Sequence, residues 1–70
     1  MLKVPRFMCE YTAFIRRDLL AHDVEMDAVQ EFEIQAQRLI NQFRACCLTS
    51  EEIMRKLAEL HTDYKWNYRF

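Results

Sequence analysis

The sequence predicts an all-α fold, a small three-helix bundle, and three observations lead there. There is no glycine and a single proline, Pro5, so the positive-φ positions that tight hairpins need have no ready occupant. Apolar residues recur at helical spacing through most of the chain. The stretch "LTSEEIMRKLAEL" also begins as helices begin, with a Thr followed three residues later by a Glu. Seventy residues make one domain, residues 1–70, and a domain of that size buries only roughly 60% of its unfolded surface.

The first helix is expected over about residues 5–22, with Pro5 as a suitable first-turn residue. Phe7, Met8, Tyr11, Phe14, Ile15 and Leu19 form a wide apolar face, with Asp18 inside it and His22 one turn further on. Cys9, Ala13 and Leu20 make a weaker strip near Arg16. The break "HDVEMD" offers Asp23 or Asp27 as the next cap.

The second helix is expected over about residues 27–47. At about 100° per residue, Val29, Phe32, Ala36, Leu39, Ile40, Phe43, Cys46 and Cys47 fall on one stripe. Ile34 points almost opposite, which makes it a candidate contact residue. At about 20 residues, or about 30 Å, this helix would outreach the third. Uncovered apolar ends would then suit a second subunit, so the expected state is dimeric.

The third helix is expected over about residues 50–62. Thr49 caps it, Glu52 completes a capping box, and Leu48 with Ile53 has the spacing of a hydrophobic staple. Ile53, Leu57, Leu60, His61 and Tyr64 share a face, and Glu51–Arg55 and Glu52–Lys56 are i,i+4 pairs on the other.

The tail "DYKWNYRF" places Tyr64, Trp66, Tyr68 and Phe70 at every second position, with Lys65, Asn67 and Arg69 between them. In a helix, Tyr68 stays beside Tyr64 while Trp66 and Phe70 turn away. In an extended strand, all four aromatics share one face. The second reading sorts the residues cleanly and predicts an aromatic arm over residues 63–70. Such an arm folds back on its own bundle, crosses to a second subunit or docks on another protein.

Hydrophobic residues make up 51% of the chain, a surplus over what so small an interior holds, which points to surface intended for a partner. Ten Lys and Arg stand against eleven Asp and Glu, so no global charge draws the chain to nucleic acid or anionic lipid. The three cysteines are an odd number with an adjacent pair, Cys46–Cys47, which does not read as a disulfide framework. With neither a signal-peptide pattern nor a long apolar run, a soluble cytoplasmic protein is expected. The mixed-sign polar faces argue against a membrane role.

Catalysis and metal binding find little support. Asp18 and His22 could form an acid–base pair, but Cys9 lies on another side of the same helix, a poor arrangement for a nucleophile. The cysteines and histidines lack the paired spacing of zinc ligands. No cofactor, metal or enzymatic activity is expected.

"LTSEEIMRKLAEL" resembles the first helix of many helix-turn-helix domains, which often begin with Thr or Ser followed by two acidic residues. That resemblance implies a small DNA-binding transcriptional regulator with a degenerate C-terminal half, because "HTDYKWNYRF" follows where a turn and recognition helix should. The tail aromatics could stack on bases, with Lys65 and Arg69 as the local cations. The favoured expectation is a non-enzymatic regulator, a modulator or inhibitor, that binds another protein through apolar and aromatic surface. Tyr64, Trp66, Tyr68, Arg69 and Phe70 are the expected anchors, because Tyr, Trp and Arg dominate interface hot spots. Ile34, Arg16 and Arg17 are lesser candidates on the outward faces.

Overall fold

The computed structural model describes residues 2–68. Its elements are α1 (Arg6–Ala21), α2 (Met26–Arg44) and α3 (Ser50–Asn67), each packed against the other two. The three amphipathic stripes meet along one core. Met8, Ile15 and Leu19 come from α1, Phe32, Val29 and Ala36 from α2, and Ile53, Leu57 and Tyr64 from α3. Phe32 is fully buried at the centre.

The apolar face of α1 is narrower than its sequence suggests. Phe7 and Phe14, placed on that apolar face by the sequence, are 48% and 50% exposed. They sit at the margin of a stripe that Met8, Ile15 and Leu19 already fill.

Both interhelical turns close without glycine. Asp23, at φ 59°, and Cys46, at φ 62°, occupy the left-handed position just past α1 and α2. The bonds Val24 N–H to Leu19 O and Asp23 N–H to Leu20 O form the pair that ends α1. Cys47 N–H to Gln42 O and Cys46 N–H to Phe43 O repeat the pattern at α2. Val24 then buries its side chain beneath the first turn.

This turn corrects the sequence reading of the cysteines. Helix α2 stops at Arg44, so Cys46 and Cys47 leave its stripe and both are exposed. The α2 start differs too. Neither Asp23 nor Asp27 caps it; Glu25 takes that position without a side-chain bond, and its backbone N–H donates to Tyr68 O at 3.1 Å. Pro5 likewise sits just before α1 as its cap residue.

The α3 start matches expectation. Glu52 N–H donates to Thr49 Oγ1 at 3.2 Å, and Thr49 N–H donates to Glu52 Oε1 at 3.2 Å. Its end does not. The helix continues to Asn67, so no extended arm begins at residue 63 and α3, with 18 residues, nearly matches the 19 of α2. No apolar overhang on α2 follows from unequal lengths.

The helix persists because its last turns are anchored from several sides. Tyr64 enters the core edge-on to Phe32, with ring centroids 6.1 Å apart. Asn67 donates to Asp63 at 2.8 Å, and Lys65 lies 3.4 Å from Asp18. Alternation by two in a row of aromatics mimicked a strand, while the i,i+4 pair Tyr64–Tyr68 carried the helical signal, its rings now stacked 4.9 Å apart.

Candidate interaction surfaces

One polar cluster crosses between helices. Asp18, at the end of α1, holds its carboxylate in the seam with α3, with only 19% of the side chain exposed. His61 Nε2 stands 2.6 Å from Asp18 Oδ2, Lys65 Nζ 3.4 Å from the same oxygen, and His22 Nδ1 3.3 Å from Oδ1. A carboxylate only accepts, so the proton of His61 resides on Nε2. The bond from His61 is the main influence holding the Asp18 carboxyl below its usual range; partial burial opposes it, and Lys65 and His22 add to it. Phe14 packs edge-on against the His61 ring at 6.1 Å.

The sequence reading paired Asp18 with His22 and missed His61 as its closest partner. The signal was present, because Asp18 and His61 were each polar residues inside an otherwise apolar helical face. Two such intrusions on neighbouring helices satisfy one another at low cost. The arrangement ties helices together. Among the described residues, no three His, Cys, Asp or Glu side chains are grouped as a metal ion would require.

The expected anchors separate. Tyr64 is 5% exposed, so it is a core residue and presents almost no surface. Burial, together with the Glu31 carboxylate beside it, pushes its hydroxyl pKa up to about 12. Tyr68 is partly covered by its stack on Tyr64. Trp66 turns to the opposite side of α3 and is the most exposed large apolar residue among the described residues at 62%, with Lys65 Nζ 5.9 Å from its ring. Arg69 and Phe70 lie outside the described residues.

Ile34 is exposed on α2, as its position off the stripe predicted. Arg16 forms an ion pair with Glu33 that links α1 to α2, whereas Arg17 faces solvent. Among the described residues, Arg16 pairs across α1 and α2 while Trp66 lies beside Lys65 on α3, so these candidates fall on different helices.

Two apolar surfaces stand out instead. On α1, Phe7, Tyr11 and Phe14 follow one another at i, i+4 and i+7, with Tyr11 and Phe14 stacked at 6.3 Å. The strip runs on to Asp18 along the seam with α3. On α3, a shallow groove is lined by Arg55, Ala58, Glu59, Thr62, Asp63 and Trp66. The first was read in the sequence as part of one wide apolar face, and only the competition for a small interior reveals it as surface.

No described helix is long and apolar enough to cross a membrane. Comparison with family models, with curated proteins and with solved structures finds no match.

Proposed function

We propose that this protein is a non-enzymatic regulator that binds another protein through exposed aromatic surface, modulating or inhibiting it, and that it acts as a homodimer. The observation carrying the reading is the Phe7–Tyr11–Phe14 strip. Two phenylalanines about half exposed on one helix face keep apolar area in water that the small interior, filled on this side by Met8, Ile15 and Leu19, does not take up. Contiguous exposed apolar surface of this kind marks interaction sites. Aromatic side chains suit the role because they offer large rigid contact area with few rotatable bonds. The Asp18–His61 bond beside the strip holds α1 and α3 in register, so the surface is preformed and little ordering opposes binding.

The test is affinity capture of the tagged chain from extract of its native cell, with and without nuclease, beside a Phe7→Ala/Phe14→Ala variant of unchanged helicity. The expected result is a protein that survives nuclease and is lost with the variant. Retention of nucleic acid, with every protein released by nuclease, would overturn this reading in favour of a DNA-binding regulator.

A further inference from the structure

We propose that the outer face of α3 is the surface on which a second copy of this chain packs, antiparallel, with Arg55 and Lys56 of each copy against Asp63 and Trp66 of the other. This rests on the two-copy reading above and specifies its surface.

The face is sorted by charge along its length. Arg55 and Lys56 stand toward the N-terminal end, Glu59 and Asp63 further along, and Trp66 beyond them. Among the described residues Arg55, Lys56 and Glu59 form no ion pair within contact distance. Among the described residues the expected Glu51–Arg55 and Glu52–Lys56 pairs do not close to contact distance, and Glu52 instead turns back to Thr49 to complete the cap. The two cations are therefore available, and two cations and two carboxylates make the face neutral as a whole.

Such a face complements its own antiparallel copy. A two-fold axis passing between Leu60 and His61 would set Arg55 opposite Trp66 and Ala58 opposite Asp63, with Lys56 within reach of Asp63. Every contact then occurs twice, as an isologous interface requires. A parallel copy would set like charges together. The antiparallel one also opposes the two helix dipoles favourably. Arg55 over the indole face of Trp66 adds a cation–π contact, and Ala58 and Thr62 in the middle of the groove are small enough for two helices to approach closely. Glu59 meets its own copy near the axis, where Arg55 one turn away in the same chain offsets the repulsion. The α1 aromatic strip stays clear of this face and remains open to a different protein.

The test is sedimentation equilibrium of the full chain and two charge-reversed variants, Arg55→Glu/Lys56→Glu and Glu59→Lys/Asp63→Lys, each first shown to keep native helicity. The wild type is expected to be dimeric and each variant monomeric. An equimolar mixture of the two variants is expected to restore a dimer, because the wholly acidic face of one then lies against the wholly basic face of the other. A wild-type chain that stays monomeric up to its solubility limit would overturn both the dimer and this surface. A dimer untouched by either reversal would overturn the surface alone, and so would a failure of the mixture to associate.

Discussion

His61 Nε2 lies 2.6 Å from Asp18 Oδ2, closing a contact between residues 43 positions apart in the chain. It joins α3 to the last turn of α1, beside the half-exposed ring of Phe14 that packs on His61. A half-buried carboxylate without partners would be costly, and His61, His22 and Lys65 all stand within 3.4 Å of this one.

Removing either side of this pair should loosen the α1–α3 seam. Asp18→Ala is expected to cost roughly 1–2 kcal/mol, a modest value because water reaches the edge of the cluster. A double-mutant cycle in urea with His61→Ala checks it. The double variant should be less destabilised than the sum of the singles, by about 1 kcal/mol. Simple additivity would show that the two side chains do not stabilise each other.

Stability should fall at both extremes of pH, through different residues. The folded Asp18 carboxyl titrates below its ordinary value of 3.8. Its contribution is therefore full above that pH and is lost as pH drops through the lower folded value. Glu52, held low by the Thr49 backbone N–H, adds to the same acid limb. Tyr64 behaves oppositely. Its folded pKa is raised from 10.0 to about 12, so its contribution is full below pH 10 and is lost as pH rises toward 12. Melting temperatures across pH, compared with Tyr64→Phe, check this. The variant should have a shallower decline between pH 10 and 12, and an unchanged slope would assign the alkaline loss elsewhere.

Helix existence was legible because each segment repeats apolar residues with a period near 3.6, and the Thr49–Glu52 box fixed one start to the residue. Helix ends were less legible. At residues 63–70, alternation of aromatics outweighed the i,i+4 signal, and what continues the helix is tertiary: Tyr64 on Phe32 and Lys65 on Asp18. The α2 end was obscured because cysteine took the place where glycine ordinarily marks a left-handed cap. Phe7 and Phe14 illustrate a limit of periodicity. It identifies the side of a helix that is apolar, but three helices of this length leave room for only part of that side. The Asp18–His61 pair was legible in principle, since each residue broke an apolar stripe.

Cys46 offers a direct check on the second turn. A side chain with a Cβ at φ 62° costs roughly 1–2 kcal/mol relative to an unstrained backbone, and glycine relieves it at the expense of a freer unfolded chain. Cys46→Gly is expected to raise stability by about 0.5–1 kcal/mol, read as a higher melting temperature. Asp23→Gly should gain less, because Asp tolerates the left-handed region better. A lower melting temperature for Cys46→Gly would mean that this turn does not hold the conformation described.

The end of α3 separates folding from recognition at two positions only two residues apart. Tyr64 is in the core and Trp66 is on the far side of the same helix, 62% exposed. Tyr64→Ala should cost roughly 3 kcal/mol, since removing a buried ring leaves a cavity against Phe32. In a domain with about 5–10 kcal/mol of stability in all, much of the cooperativity of urea unfolding would go with it. Trp66→Ala should shift the urea midpoint by no more than about 0.5 kcal/mol while weakening self-association of the chain. Equal destabilisation by the two substitutions would be the signature of an aromatic arm lying flat on the bundle, and would overturn the helical tail. A large loss for Tyr64 with none for Trp66 leaves the indole with no part in the core, so its contribution must be sought in what the outer face of α3 touches.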